Sequence, residues 1–253
     1  MPVGIIGLGR LGSALARGLS RAGVGEVYVF NRTPERAQEL AAAARGLVVL
    51  DSAAAVLERC DPVFVWMDPV DAGEVLSANA EILQRRRPLI VTCAPGLAPA
   101  QFSPRWADTL PNVNLSTGQG ATLLTWGPGL ADAERETVLA PLRACGAVYE
   151  VAAAELPLYS ALASSGPAFY AQIIELWADT LAEHHGLDAE FCRRMVRQTV
   201  AGTLALQEQD GIDAAEVVRR VAHPGASTER GLGVLEPQFA ATSQEMLQAM
   251  GKW

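Results

Sequence analysis

Val3-Gly4-Ile5-Ile6-Gly7-Leu8-Gly9-Arg10-Leu11-Gly12 is the stretch on which the fold turns. It opens with a short apolar run, as a buried parallel strand does. The spacing Gly7-x-Gly9-x-x-Gly12 follows at once. Beyond it Ala14, Leu15, Ala16, Leu19 and Ala22 carry a helical apolar pattern. Strand, glycine turn and helix therefore come in the order that a dinucleotide site needs. Gly7 permits the tight turn, Gly9 lets the backbone approach a pyrophosphate, and Gly12 lets helix and strand pack closely. The free amides at the helix start then face the anion.

The choice of dinucleotide is read at the end of the second strand, Glu26–Phe30, where Asn31-Arg32-Thr33-Pro34 follows. An NAD site places an acidic residue about 20 positions past the glycines, on the ribose diol. Here Asn31 stands 19 positions past Gly12, and it is neutral. Without a carboxylate there is less repulsion against a 2′-phosphate, and the Arg32 guanidinium can clasp one. Thr33 adds a hydroxyl, and Pro34 suits the first position of a helix. The stretch predicts NADP(H) in preference to NAD(H).

Further strands are predicted at 47–50, 62–66, 88–92, 112–116, 121–125 and 147–151, and helices at 34–44, 52–59, 70–84 and 131–143. Alternating strands and helices make a doubly wound α/β sheet, a Rossmann domain over residues 1–152. In such a sheet ligands bind beyond the carboxyl ends of the strands. The loops Met67-Asp68-Pro69 and Cys93-Ala94-Pro95-Gly96 are therefore expected beside the nicotinamide half of the cofactor. From residue 153 to 253 only helices are expected. Gly166-Pro167 opens one of them, and Phe169, Ile173, Trp177 and Leu181 recur every four residues along it. So apolar a face belongs in a core or a subunit interface. Further helices are expected at 188–209, 213–221, 228–235 and 238–250.

The net charge of −8 over 253 residues, with no basic stripe, argues against a nucleic-acid partner. Arg85-Arg86-Arg87, the one basic run, suits a helix end. Cys60, Cys93, Cys145 and Cys192 are well separated, with no Cys-x-x-Cys and no Cys/His pair, so no metal is expected and the thiols read as free in a reducing compartment. No charged leader with an apolar core opens the chain, and no apolar run approaches the ~20 residues of a membrane span. A cytoplasmic chain without a membrane partner is expected.

In the second half, His223-Pro224-Gly225-Ala226-Ser227-Thr228-Glu229 breaks one helix and starts another. Ser227 and Thr228 are good N-caps. Such a turn either aims amides and hydroxyls at a small carboxylate or is a capped helix binding water. His223 could act as an acid near neutrality or be a turn residue beside proline.

With Ser160-Ala161-Leu162-Ala163-Ser164-Ser165-Gly166-Pro167-Ala168, this second turn, the N-terminal glycines and Asn31-Arg32-Thr33, the chain resembles the pyrroline-5-carboxylate reductase family from Val3 to about Glu236. The resemblance implies an N-terminal Rossmann domain, an all-α C-terminal domain that pairs two subunits into a homodimer, and hydride transfer from NADPH to a cyclic imino acid, 1-pyrroline-5-carboxylate, giving proline. Carried over by position, Gly7, Leu8, Gly9, Arg10, Leu11 and Gly12 hold the pyrophosphate, and Asn31, Arg32 and Thr33 the adenosine ribose or its phosphate. Ser165, His223, Gly225, Ala226, Ser227 and Thr228 belong to the substrate side. Thr228, whose counterpart lies near the imine nitrogen, is the catalytic candidate.

Departures from the family pattern fall at Asp68, where a Lys is usual, and at Asp108, where an Arg is usual. Ser160, Ala163, Ser164, His223 and Ala226 also differ. Two acids near the crevice would repel an anionic cofactor and substrate, so a weakly catalytic, dinucleotide-binding regulatory relative or a reductase of another imine is the alternative. Reductases of the β-hydroxyacid type need a lysine on a C-terminal helix. The sole lysine here is Lys252.

Overall fold

A computed structural model describes residues 1–251; Lys252 and Trp253 lie outside the described residues. Two compact units make up the chain, Met1–Pro167 and Ala168–Trp253.

The first unit runs β1 (Val3–Ile6), α1 (Arg10–Arg21), β2 (Val27–Phe30), α2 (Pro34–Ala43), β3 (Leu47–Val49), α3 (Ala53–Arg59), β4 (Val63–Val65), α4 (Pro69–Ala78), α5 (Ala80–Arg86), β5 (Ile90–Thr92), β6 (Trp106–Leu110), β7 (Gly120–Trp126), α6 (Asp132–Arg143), β8 (Gly146–Glu150) and α7 (Ser160–Ala163). The strands form one sheet in the order β3-β2-β1-β4-β5-β6-β7-β8. All neighbours are parallel except β6 and β7. The order reverses beside β1, where β2 lies on one side and β4 on the other. This is the crevice of a doubly wound sheet.

Each central strand is apolar on both faces because helices cover both. Ile5, Phe64, Leu89 and Val91 point to one side and pack with Leu15, Leu19, Val138 and Leu142 from α1 and α6. Ile6, Val63, Val65 and Ile90 point to the other and pack with Val56, Leu57, Leu76 and Leu83 from α3, α4 and α5. The period of two along the strands thus divides the core into two layers.

Several sequence expectations change. Residues 112–116 are not a strand: Val113–Thr117 is a 3-10 turn. The Asn112 side-chain oxygen accepts from Asn114 N (3.2 Å) and Ala121 N (3.3 Å), and Gly118 closes the turn at φ 78°. The neighbouring strand is instead β6, whose Asp108 and Thr109 conceal it in a hydropathy reading. The helix at 70–84 is two helices, broken at Asn79, whose side-chain amide donates to Val75 O (2.7 Å).

The second unit contains α8 (Gly166–His185, from its third residue onward), α9 (Ala189–Asp210), α10 (Ala214–Val221) and α11 (Ser227–Ala249). Helices expected at 228–235 and 238–250 are one, α11, which continues through Pro237. Proline removes one hydrogen bond, and the turns on both sides are long enough to sustain the helix. Gly186 ends α8 at φ 65°. Among the described residues no helix is long and apolar enough to cross a membrane.

Residues 152–165 lie with the first unit. Leu156 and Ala163 share a core cluster with Leu110 and Leu123, and the Asn112 amide donates to Ala163 O at 3.1 Å.

Candidate functional site

The glycine loop leaves β1 with Gly7 at φ 95°, a conformation that favours glycine. A Cβ on Gly12 would stand 1.9 Å from the Gly7 carbonyl oxygen, so α1 reaches its place against β1 only with glycine there. Over Gly9 the situation is the opposite: a Cβ would meet nothing within 4 Å. No side chain caps the first turn of α1. Its leading amides have no partner within the helix, and Gly9, Arg10 and Leu11 line an open cleft. An open concavity floored by a helix start fits a pyrophosphate.

Two adjoining clefts share Gly9, Trp66, Met67 and Asp68. One, about 470 Å³, runs from Gly7 and Gly9 to Asn31, Arg32, Thr33 and Arg36 on one wall and to Asp71 and Glu74 of α4 on the other. The other, about 410 Å³, is lined by Arg10, Leu11, Cys93, Val113 and Ser164. The first contains residues 31–33, and the second contains Met67 and Cys93 from the loops at 67 and 93.

Asn31 bridges two loops. Its side-chain oxygen accepts from Leu8 N (2.9 Å) and its amide donates to Thr33 O (3.0 Å). Arg32 reaches across the cleft, and its Nη1 lies 3.2 Å from Asp71 Oδ1. Asp68 is the N-cap of α4, and its Oδ1 accepts from Val70 N at 3.0 Å. Its carboxylate is thus held on its own helix by the amide it caps.

Several expected residues fall away from the cleft linings. Leu8 is buried beneath the loop, and Gly12 is packed against Gly7. Ala94 is buried in the core while Cys93 lines the cleft, and Pro69 begins α4 outside both linings. Ser164 lines the second cleft; Ser165 does not. Asp108, expected beside the crevice, lines neither cleft. It is drawn into the sheet, where Oδ1 accepts from Thr92 Oγ1 (2.9 Å) and Thr109 N (3.0 Å). Burial raises its carboxyl pKa above the usual range, while those two hydrogen bonds oppose the rise. Burial also pushes the Cys93 thiol up to about 12, which leaves it inert as a nucleophile near neutrality.

In the second unit the turn at 223–228 is exposed throughout or nearly so. Gly225 takes φ 78°, and Ala226 N donates to His223 O (2.9 Å). The N-cap of α11 is Ala226, so neither Ser227 nor Thr228 caps the helix. Both side chains are left to solvent. The anchor is instead Glu229, whose carboxylate accepts from Gly225 N at 2.7 Å, and Arg230 donates to Gly225 O at 2.7 Å.

The same unit carries an apolar groove of about 710 Å³ between α8 and α11, lined by Ile173, Trp177, Leu181, Leu235, Phe239 and Met246 among others. The side of α8 read from the four-residue spacing is therefore not a core: Trp177 is 63% exposed.

Fold and glycine loop together are of the Rossmann dinucleotide-binding type, joined to a helical unit. Residues 2–96 match the family described as "NADP oxidoreductase coenzyme F420-dependent". Residues 153–252 match "Pyrroline-5-carboxylate reductase dimerisation". The chain is 30% identical to the pyrroline-5-carboxylate reductase of Mycobacterium tuberculosis strain H37Rv, across 92% of this chain and 88% of that one. It is 28% identical to the enzyme of that name from Aquifex aeolicus, over 98% of this chain and 94% of the relative. The chain belongs to the pyrroline-5-carboxylate reductase family.

Solved structures agree in fold. The Coxiella burnetii pyrroline-5-carboxylate reductase superposes with a TM-score of 0.85 at 23% identity, covering 98% of this chain and 93% of that one. The Plasmodium falciparum pyrroline carboxylate reductase with NADP bound gives 0.83 at 21%, covering 98% and 95%.

Residues 71, 74, 36 and 113 were not marked in the sequence, and Ser164 was noted there only as a departure from the family pattern. The partner that gives Asp71 its place, Arg32, is 39 positions away, and no local pattern joins them.

Proposed function

We propose that the protein reduces 1-pyrroline-5-carboxylate to proline with NADPH, as a homodimer. The observation that carries the substrate is the chain-long likeness to relatives bearing that enzyme's name. Openness over Gly9, beside an uncapped helix start, supports the cofactor. Gly9, Arg10 and Leu11 would hold the pyrophosphate, and Arg32 with Thr33 the 2′-phosphate. The dinucleotide supplies a hydride. The chain's own work is then positioning, since a protonated imine is already electrophilic. Gly225, Ala226 and Ser227 hold the substrate carboxylate, and the Thr228 hydroxyl, uncommitted to any cap, orients the imine nitrogen and its proton. His223, in the same turn, borders that substrate. Four free, buried cysteines support a reducing compartment, and we place the protein in the cytoplasm.

NADPH absorbance should fall when pyrroline-5-carboxylate is added, with proline as the product. Bound NADPH without turnover of this substrate would overturn the assignment and point to another imine or a regulatory role.

For the dimer, the exposed groove on α8 and α11 is the support. Apolar patches of this extent mark interfaces. A second copy of the dimerisation unit is the occupant that the family match on residues 153–252 favours. Trp177→Glu should shift the protein from dimer to monomer in sedimentation at micromolar concentration. An unchanged dimer would remove α8 from the interface.

A further inference from the structure

Resting on the dinucleotide reading of the first cleft, a finer question is what sets its choice between NADP(H) and NAD(H). The two walls of that cleft carry opposite charge. Arg32 and Arg36 stand on the β2–α2 side, and Asp68, the cap of α4, faces them with Asp71 and Glu74 of that helix. Asp68 is held by the Val70 amide it caps. Among the described residues, Arg36 and Glu74 enter no ion pair. One pair spans the cleft: Arg32 Nη1 to Asp71 Oδ1, 3.2 Å, with the Arg32 side chain 81% exposed and the Asp71 side chain 37% exposed.

We infer that Asp71 is a specificity-setting residue that acts by occupying Arg32. A guanidinium grips a phosphate best when its donors are free. Here the guanidinium already has an anion. A 2′-phosphate must displace the Asp71 carboxylate into water before it gains Arg32, whereas a ribose 2′-hydroxyl makes no such demand. Asp71 therefore lowers affinity for the phosphorylated dinucleotide and leaves the other untouched. The sequence position alone would not reveal this, because a free Arg32 and a paired Arg32 look the same in a chain of letters.

The size of the effect follows from exposure. An ion pair this open to water is weak, so its removal changes binding severalfold and no more. The test is equilibrium binding of NADP⁺ and of NAD⁺, by calorimetry, to the wild type, Asp71→Asn, Arg32→Ala and the double variant. Asp71→Asn should tighten NADP⁺ about fivefold and leave NAD⁺ unchanged. Arg32→Ala should weaken NADP⁺ alone, and on that background Asp71→Asn should have no effect. An unchanged NADP⁺ affinity in Asp71→Asn would overturn the inference. So would an equal gain for NAD⁺, or a full gain that persists without Arg32, because simple repulsion by the carboxylate needs no guanidinium. Failure of the wild type to bind either dinucleotide would instead bring down the reading of the glycine loop, and this inference with it.

Discussion

Gly12→Ala is expected to lose both stability and nucleotide binding. The added Cβ would lie 1.9 Å from the Gly7 carbonyl oxygen and 3.0 Å from its carbon. Those atoms are backbone, and Gly7 is fixed at φ 95° with its amide donating to Phe30 O at 2.9 Å. Nothing there can swing aside, so α1 must lift from β1. Overpacking of this kind costs about 1–3 kcal/mol or more, and the lift also displaces the amides proposed to hold the pyrophosphate. The expected result is a lower urea midpoint together with NADPH affinity reduced at least about a hundredfold, as loss of several charge-assisted hydrogen bonds implies. Gly9→Ala separates the two effects. Its backbone at φ −69°, ψ −161° accepts any residue, and its Cβ would meet no protein atom. That variant should keep its urea midpoint and still bind NADPH poorly. Normal binding by Gly9→Ala would mean that the space over the loop is not where the nucleotide lies.

Thr228→Ala should slow turnover about a hundredfold, the lower end of what a group placed to orient or pass a proton contributes. Its side chain is exposed and caps nothing, so the fold should be untouched. NADPH affinity should hold, because Thr228 belongs to the substrate side in this proposal. The loss should appear in kcat at saturating substrate, and Thr228→Ser, which keeps the hydroxyl, should restore most of it. Full activity in the alanine variant would remove Thr228 from the site and leave the exposed turn as a structural feature held by Glu229.

Local patterns made much of this molecule readable. The glycine spacing and the apolar runs sufficed for the order of β1, α1 and β2, because each rests on residues adjacent in sequence. The apolar spacing of Ile173, Trp177 and Leu181 likewise marked a face of α8 that needs a cover. What escaped depends on distant partners. Residues 112–116 have the apolar content of a strand, yet the Asn112 side chain satisfies two backbone amides and turns the chain instead. Asp108 looked like a cleft carboxylate until Thr92, on the neighbouring strand, claimed it. Ser227 and Thr228 read as caps by composition, but Glu229 reached the Gly225 amide first. Asp68 does line both clefts, as foreseen from its place after β4, and its second role as the cap of the following helix is what the strand pattern did not show.

The Asn31 side chain has one further consequence. By accepting from Leu8 and donating to Thr33, it makes the turn after β1 and the turn after β2 a single stiff bracket. A dinucleotide bound as proposed would therefore not be gripped independently at its two ends. A shift at one turn drags the other, so the bracket is tuned to the span between the guest's charged groups as well as to each group alone.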